Sequence, residues 1–538
     1  MSDIDLLLIA QSEVVNYEDY SQLPLDRIDL YRELVFPRMV HFRGKFRSHL
    51  DMINLCRSGV SFQDASPSQR RDLLSVWNLP SCTALHLANK LLGHGIRTCI
   101  INNFDAEWDR FCEAYSGCRK PPLVGISSTF HLGWSEPRRI VRKLRQFAPD
   151  MEIAVGGAFV NARTLTGEAA AFEKPMRRYG IDYILHGFHA ESDLVTLLLS
   201  RRRGSNCSEV SNLAYLDRES TPREFHATPP RWNAPVLGEV PFLWDQLDLP
   251  FVRTTLQMRT SCGCPFSCAF CSYPKVAHGF QMMDIDGIGR SLESAFRIPG
   301  VTRLCFIDDT FNVPVARFKE ICRLLTRYRC EWFSFLRVQF LDEDTARLMK
   351  KSGCRAVYLG IESANDAVLR NMNKRAIRSD FERGVALLKK NGITAVAAFV
   401  LGFPGETERS IRDNIDFIEN SGVDFYTLKE FYYMEHTPVH QQREQYGLVG
   451  SGNQWSHSTM DSPTAYRFKT EMFQSIRNAT YLDADTSLWY LVALCDAGFS
   501  IEQIKTMQRE INAVTQDQMR GEFNDLHPAI GRLKGEKA

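Results

Sequence analysis

The stretch Cys264-Pro265-Phe266-Ser267-Cys268-Ala269-Phe270-Cys271 places three thiols on one short loop, directly after a strand predicted at residues 256–261. Three thiolates can bind three irons of a four-iron cubane and leave the fourth iron without a protein ligand. That iron is then open to a small chelating molecule. Two other centres fit the same residues: a structural zinc site that also uses Cys262, and a fully ligated electron-transfer cluster.

Strands and helices alternate on the carboxyl side of this loop. Beyond residues 256–261, strands are predicted at about 302–308, 332–338, 355–361, 394–401 and 423–430, with helices at 313–328, 342–352, 378–391 and 406–420. Six consecutive βα units predict a partial (β/α)6 barrel over residues 251–435, whose active site lies on the loops after the strands. A mainly helical region is expected from 436 to 538.

A second alternating series precedes the loop. Its strands are predicted at 4–10, 97–102, 123–129, 152–157 and 182–187, and helical patterns such as 82–92 and 136–147 separate them. This order predicts an α/β domain over residues 1–203 with a doubly wound, Rossmann-like parallel sheet and a partly helical insertion at 12–78. Residues 204–250 contain six prolines and are interpreted as a strand-poor linker.

The composition excludes several classes of protein. The chain has 65 basic and 64 acidic residues, so we expect neither a nucleic-acid partner nor a membrane-surface partner, because both favour a basic excess. No apolar run is long enough to span a bilayer, and the acidic start lacks the layout of a signal peptide. We therefore expect a cytoplasmic enzyme. Its fifteen cysteines are then buried thiols or metal ligands rather than disulfides.

The spacing Cys-x-x-x-Cys-x-aromatic-Cys resembles the signature of the radical S-adenosylmethionine (SAM) superfamily. The resemblance implies that Cys264, Cys268 and Cys271 hold a [4Fe-4S] cluster whose open iron binds SAM and cleaves it reductively. It also implies an electron donor such as flavodoxin or ferredoxin. Phe270 would shield the cluster or stack near the adenine.

Further segments resemble the family's SAM-binding motifs at successive strand ends. Asp308 and Asp309 would contact the SAM amino group, since a carboxylate suits an ammonium, although a solvated turn is the alternative. Arg337 would face the SAM carboxylate, or else form a surface salt bridge. The remaining implied contacts are Glu362 and Ser363 with the ribose hydroxyls or the methionine moiety, and Gly402 with the adenine. Glu406 is interpreted as a residue that opens a helix, where a carboxylate is favoured.

The amino-terminal domain resembles that of cobalamin-binding radical SAM enzymes. Open α/β sheets bind ligands at the carboxyl ends of their strands, where small and hydroxyl side chains suit a flat macrocycle. The implied cobalamin-binding residues are Ser127, Ser128, Thr129, Gly156, Gly157, Gly187 and Phe188. After the first strand stands Ala10-Gln11-Ser12-Glu13 instead of an axial-histidine motif, so His131, His186 and His189 are rival ligands. A nucleotide-binding or purely structural domain is the alternative.

Together these resemblances imply a cobalamin-dependent methyltransferase that acts on an unactivated carbon or phosphorus centre. Its substrate would be a small secondary metabolite or a peptide precursor. The overall length and the stretch Ser127-Ser128-Thr129-Phe130 suggest a resemblance to the branch that methylates phosphorus in phosphinate antibiotics. Two alternatives stay open. One is a cobalamin radical SAM enzyme that cyclises or rearranges its substrate without methylation. The other is a non-catalytic corrinoid or iron–sulfur electron-transfer protein.

Overall fold

Apolar runs in the sequence become buried strands in a computed structural model of the chain. The structure describes residues 3–13, 36–62, 64–131, 133–164, 167, 169–218, 220–231, 233, 237, 242–277, 279–482 and 487–535. Most of the predicted insertion at 12–78 before residue 36, and prolines 235 and 241 of the predicted linker, lie outside the described residues. The chain divides into two compact units.

Unit 1 comprises Met1–Val15, Ala65–Leu256 and Asp286–Val301. Five of its strands are parallel, as predicted: β1 Leu6–Gln11, β2 Thr98–Asn103, β3 Leu123–Ser127, β4 Ile153–Gly156 and β5 Tyr183–Leu185. The sheet order is β2-β1-β3-β4-β5, which brings the carboxyl ends of all five strands to one edge. Every residue of β1 is buried, as expected for a parallel strand covered on both faces.

Helices cover this sheet. They include Cys82–Gly93, Trp108–Ser116, Ser135–Phe147, Ala158–Thr164 and Glu173–Tyr179, and the unit also contains helices at Glu191–Arg203, Ile285–Arg297 and Pro67–Arg70. The core joins strand residues such as Leu7 and Val124 to helix residues such as Phe111, Ile140 and Leu144. Residues 97–102, 82–92 and 136–147 therefore fold as predicted.

The predicted linker at 204–250 is not strand-poor, and this prediction is wrong. β6 Leu213–Leu216 and β7 Phe225–Ala227 extend the sheet of unit 1 beyond β5 in antiparallel order. Prolines are tolerated beside the edge strands of a sheet, where fewer backbone hydrogen bonds are required. The proline-rich composition therefore concealed two short edge strands.

Unit 2 comprises Asn16–Asp64, Gln257–Ile285 and Thr302–Ala538. Its seven-stranded sheet follows the order of the chain: β8 Thr255–Met258, β9 Arg303–Phe306, β10 Glu331–Leu336, β11 Cys354–Glu362, β12 Thr394–Leu401, β13 Phe425–Glu430 and β14 Thr480–Tyr481. The pairs from β9 to β14 are parallel. The intervening helices span Val315–Leu325, Glu343–Lys351, Asp366–Asn371, Arg378–Lys390 and Glu408–Asn420.

The rest of unit 2 contains more than the helices expected from 436 to 538. Helices span Arg443–Tyr446, Ser462–Ser475, Ser487–Asp496, Ile501–Met519 and Pro528–Leu533, and a small antiparallel sheet joins Val449–Ser451, Gln454–His457 and Met460–Asp461. The hairpin of Met39–Phe42 and Lys45–Ser48 and the helix His49–Ser58 also belong to this unit. His41 bonds Gln518 through its backbone, so part of the predicted insertion packs on the carboxyl-terminal helices.

Among the described residues, no helix is long and apolar enough to cross a membrane.

Candidate cofactor sites

The cysteine loop is closed at its base by a short hairpin. Ser261–Cys262 pairs with Gln281–Met282 in antiparallel order. Gly263 has a φ of +87°, and a Cβ there would lie 1.7 Å from the carbonyl oxygen of Gly279, so only glycine fits. Cys262 is a strand residue of this hairpin, and its Sγ lies 3.9 Å from the Tyr273 hydroxyl. The other three cysteines lie on the loop beyond it.

The three loop thiols are free, and they differ in exposure. Cys268 is buried, whereas Cys264 and Cys271 are partly exposed. The Sγ of Cys264 lies 3.3 Å from the Thr310 hydroxyl at the end of β9. The pKa of Cys271 is raised to about 11, mainly by burial, and the neighbouring thiols Cys268 and Cys264 contribute in the same direction. Cys271 is therefore protonated at neutral pH, and a metal that binds its sulfur would have to displace this proton.

The donor set of the loop fits an iron–sulfur cubane. Cys264, Cys268 and Cys271 can each bind a different iron, and the fourth iron is then left without a protein ligand. Among the described residues, no group of three His, Cys, Asp or Glu side chains is already arranged around a single metal ion.

Residues 372–374 clasp the cysteine loop. The Ala269 N–H donates to the Met372 carbonyl at 2.8 Å, and the Asn373 side chain donates to the Ser267 carbonyl at 2.9 Å. Lys374 completes the clasp through its backbone carbonyl, which accepts from Arg337 at 2.9 Å. Nothing in the local sequence of this turn indicated the contact, since it joins residues about one hundred positions apart.

Arg337 follows β10 and is buried beside the cysteine loop. Its Nη2 lies 3.3 Å from the Sγ of Cys268. The alternative of a surface salt bridge is therefore wrong.

The two neighbouring aspartates after β9 have different surroundings. Asp308 is fully buried, and its carboxylate accepts hydrogen bonds from the Thr260 N–H at 3.0 Å and hydroxyl at 2.9 Å and from the Ser261 hydroxyl. Asp309 is exposed as a whole residue, but burial of its carboxyl group raises the pKa to about 6, against the nearby charge of Arg259 and the hydrogen bond from Tyr273. The two aspartates of the predicted pair therefore differ in their partners: Asp308 is bound by Thr260 and Ser261, whereas Asp309 has Tyr273 and Arg259 beside it.

Glu362 ends β11 in a left-handed backbone conformation with a φ of +68°, where the register with β12 shifts. Lys374 pairs with its carboxylate at 2.8 Å, and both side chains are largely buried. Ser363 is fully buried, and its hydroxyl donates to Asn414 at 3.3 Å. Glu362 therefore lies at the end of β11 in an ion pair with Lys374, whereas the Ser363 hydroxyl is used for a hydrogen bond inside the protein.

The segment after β12 is held from two sides. Glu406 is fully buried and accepts a hydrogen bond from the Gly402 N–H and one from Asn414 at 3.3 Å. The helix that follows begins at Glu408 and is capped by Thr407, so the interpretation of Glu406 as a helix-opening residue is wrong. Asn414 also accepts from the Ala364 N–H at 2.6 Å, which ties the ends of β11 and β12 together.

The small carboxyl-terminal sheet covers the same segment. Gly402 has a φ of +86°, and a Cβ there would lie 2.3 Å from the Trp455 ring. His457 bonds the Gly402 carbonyl at 3.0 Å, and its ring stacks on that of Trp455. The Gly405 N–H donates to the Thr459 hydroxyl at 3.2 Å. These contacts give Trp455 a place in the site that sequence reasoning could not assign.

In unit 1, the predicted cobalamin-binding residues lie at the carboxyl edge of the sheet. The buried Ser128 donates to the Gly156 carbonyl at 2.8 Å, and the hydroxyls of Ser127 and Thr129 lie 3.0 Å apart. Gly157 has a φ of +110°, and a Cβ there would lie 3.0 Å from the Ser128 nitrogen. A Cβ at Gly187 would lie 2.6 Å from Asn212, and the partly buried Phe188 follows. Internal packing therefore already requires glycine at 157 and 187.

Three buried polar side chains at this edge have nitrogen or oxygen atoms with no hydrogen-bond partner among the described residues. They are Ser12 after β1, His131 after β3 and His186 after β5. Burial lowers the pKa of His131 to about 4 and also lowers that of His186, so both rings are neutral at pH 7. Buried donors and acceptors without partners are costly. Their number at one edge fits a polar ligand with amide arms, such as a corrinoid.

The cysteine loop and the strand-end segments of unit 2 define a radical SAM domain. The sequence model of the radical SAM superfamily matches residues 258–418, the part of the chain that carries the loop and β9 to β12.

Curated relatives include several methyltransferases. The chain is 26% identical to an uncharacterised methyltransferase of Pyrococcus horikoshii over 313 residues, which are 57% of this chain and 65% of that protein. It is 29% identical to the bacteriochlorophyllide d C-12(1)-methyltransferase of Chlorobaculum tepidum over 168 residues, 30% of this chain and 37% of that one. The chain thus spans less than two thirds of the length of either relative.

Solved structures share the fold over most of the chain. The radical SAM methyltransferase TsrM from Kitasatospora setae, bound to tryptophan and a SAM analogue, has a TM-score of 0.53 at 18% identity and covers 82% of this chain and 76% of its own. The cobalamin-dependent SAM radical enzyme OxsB, bound to aqua-cobalamin and SAM, has a TM-score of 0.55 at 12% identity, with coverages of 85% and 82%. At these identities the likeness shows the fold.

Proposed function

We propose that this chain is a cobalamin-dependent radical SAM methyltransferase acting on an unactivated carbon or phosphorus centre of a small secondary metabolite or peptide precursor. The three-cysteine loop at the mouth of a radical SAM domain carries the proposal. A [4Fe-4S] cluster would supply the electron that cleaves SAM, and cobalamin would carry the methyl group. We further propose that the electron comes from a small donor such as flavodoxin or ferredoxin, and that the protein acts in the cytoplasm.

The residues of unit 2 bind and orient SAM in this proposal. Cys264, Cys268 and Cys271 hold the cluster, and the clasp of residues 372–374 fixes their loop. Asp309 accepts from the SAM ammonium, because it is the member of the pair that Thr260 and Ser261 do not bind. Glu362, held by Lys374, accepts from the ribose hydroxyls or the methionine moiety. Gly402 passes close to the adenine, with Phe270 on the loop beside it.

Unit 1 binds cobalamin at the carboxyl edge of its sheet. Ser127, Thr129, Gly156 and Phe188 line the macrocycle, whereas Ser128, Gly157 and Gly187 build the edge itself. The support comes from the buried polar atoms after β1, β3 and β5, and from TsrM and OxsB, which share the fold and have been solved with cobalamin bound.

Cyclisation or rearrangement without methylation is a second candidate function. One observation favours it: the chain is 24% identical over 307 residues to the anaerobic magnesium-protoporphyrin IX monomethyl ester cyclase of Rubrivivax gelatinosus. The mass of the product distinguishes the candidates, because only methyl transfer adds one methylene unit to the substrate.

The proposal is tested on anaerobically reconstituted protein. Cys264→Ala, Cys268→Ala and Cys271→Ala should each abolish the iron–sulfur absorption and the formation of 5′-deoxyadenosine, because each removes one iron ligand. Cys262→Ala is the matched control and should retain both, since Cys262 belongs to the hairpin at the base of the loop. Loss of the cluster in Cys262→Ala alone would contradict a three-cysteine site. Methyl transfer is then sought by mass spectrometry of candidate substrate pools supplied with SAM, reductant and methylcobalamin.

A further inference from the structure

Arg337 is a cation whose side chain directly contacts a cysteine of the loop. Only 6% of the residue is exposed. Its Nη2 lies 3.3 Å from the Sγ of Cys268 and 2.9 Å from the Lys374 carbonyl, and its guanidinium carbon lies 3.7 Å from the centre of the Phe266 ring. The contacts with Cys268, with the Lys374 carbonyl and with the Phe266 ring therefore fix the guanidinium in one orientation.

The second terminal nitrogen of Arg337 points to a ligand. Nη1 is buried and has no hydrogen-bond partner in the residues that the structure describes. Leaving a charged donor buried and unpaired is costly, so an acceptor from outside the chain is expected there. The partners described for the guanidinium are a thiol sulfur, a carbonyl and an aromatic ring, none of which carries a carboxylate charge.

We propose that Arg337 raises the reduction potential of the [4Fe-4S] cluster through its hydrogen bond and positive charge at Cys268. This inference rests on the proposed function, because it requires the cluster. Reduction adds one electron to the cluster and makes its sulfurs more negative. A buried cation that donates to a ligand sulfur stabilises the reduced form more than the oxidised form. Arg337 therefore makes the cluster easier to reduce by a small electron donor.

Arg337 also connects the cluster to the residue proposed to bind SAM. Its Nη2 holds the backbone of Lys374, and the Lys374 Nζ pairs with Glu362 at 2.8 Å. A substitution at Arg337 could thus affect SAM affinity through Lys374 as well as the potential through Cys268. The two effects are separable, since the potential can be measured with the cluster alone and without SAM.

The experiment is a redox titration of the reconstituted protein, followed by the electron paramagnetic resonance signal of the reduced cluster. In Arg337→Gln, the ratio of reduced to oxidised cluster at the wild-type midpoint potential should fall by about tenfold, as expected when a charged hydrogen bond is lost. That change corresponds to a shift of about 59 mV towards more negative potential. Arg337→Lys keeps the charge and should shift the potential less.

Arg355→Gln is the matched control. Arg355 lies at the amino end of β11, opposite to Glu362, and its side chain is 39% exposed. Removing this charge should leave the midpoint unchanged, because exposed charges far from the cluster are screened.

Two results would overturn the inference. One is an unchanged midpoint in Arg337→Gln. The other is a shift in Arg337→Lys as large as that in Arg337→Gln, since the positive charge at Cys268 would then have no part in setting the potential. A protein that holds the cluster and titrates as expected, yet cleaves no SAM, would contradict the proposed function while supporting the role of Arg337.

Discussion

Adjacent residues with the same side chain can have unrelated roles, as Asp308 and Asp309 do. The sequence assigned both to the SAM amino group, because the segment they share resembles the acidic segment of the radical SAM family. The carboxylate of Asp308 is buried under Thr260 and Ser261, where burial raises its pKa and their hydrogen bonds lower it. Asp309 is the exposed member of the pair. The motif predicts where the pair lies along the chain, but not which carboxylate faces inward.

We therefore expect Asp309→Asn to affect SAM binding and Asp308→Asn to affect the stability of the fold. Asp309→Asn should weaken SAM binding by about 1–3 kcal/mol, the size of a lost charged hydrogen bond, and leave thermal stability close to wild type. Glu362→Gln should weaken SAM binding by a similar amount.

Asp308→Asn should instead lower the melting temperature, because its amide N–H₂ would face the N–H of Thr260. Calorimetric titration with SAM and thermal unfolding of the same preparations separate the effects. Wild-type stability together with lost affinity in Asp308→Asn would reverse the assignment.

Individual elements follow from the sequence where one physical requirement dominates. The strands were predicted because buried parallel strands need continuous apolar runs, as in β1 and β12. The conformation of the loop after β12 was not predicted, because it depends on Glu406, which is fully buried and connects Gly402 to Asn414. A carboxylate just before a helix resembles a dipole interaction in sequence, and only the fold reveals that it points inward.

Glu406 should make the stability of unit 2 depend on pH. Burial raises its pKa from 4.5 to about 8, against the opposing hydrogen bonds from Gly402 and Asn414. Between these two values the folded state binds more protons than the unfolded state, so the free energy of unfolding falls as the pH rises through this window. One group can contribute a slope of up to about 1.4 kcal/mol per pH unit. Glu406→Gln cannot ionise and should flatten this slope in urea unfolding series at about pH 5 to about pH 8.

The control for this measurement is Glu408→Gln. Glu408 begins the same helix, but its side chain is 62% exposed and pairs with Arg412. It should leave the slope as in wild type, since an exposed carboxylate keeps similar proton affinity in both states. An equal slope in wild type and Glu406→Gln would show that Glu406 is ionised in the folded protein.

Across the whole molecule, the sequence predicted the parts that local patterns determine. The two α/β sheets and the three-cysteine loop follow from apolar runs and spacing. The positions of Arg337, Lys374 and Trp455 do not, because their partners Cys268, Glu362 and Gly402 are brought to them by the fold, and no local pattern records those pairs. The edge strands β6 and β7 were missed because proline is a strong signal against strands, except at an edge.

Unit 1 should bind about one corrinoid per chain when the protein is reconstituted anaerobically with hydroxocobalamin. Glu13, which follows β1, is engaged with Ser75 and Asn103, and no histidine follows that strand directly. The electron paramagnetic resonance spectrum of bound cob(II)alamin should therefore lack superhyperfine splitting from a protein nitrogen. A split spectrum that disappears in His131→Ala or His186→Ala would identify a protein ligand and contradict this expectation.

Gly156→Trp should block corrinoid binding and leave the [4Fe-4S] cluster intact. A Cβ at Gly156 meets only ordinary contacts, the nearest at 3.5 Å, so a side chain can begin there without a collision with the backbone. Substitution of Gly157 or Gly187 would be uninformative, because a Cβ there collides with Ser128 or Asn212. Gly93→Trp is the matched control: the site is exposed, a Cβ there has no neighbour within 4 Å, and it lies at the end of the helix Cys82–Gly93. Equal corrinoid content in both variants would remove Gly156 from the site, whereas loss in Gly156→Trp alone would place the macrocycle at the carboxyl edge of β4.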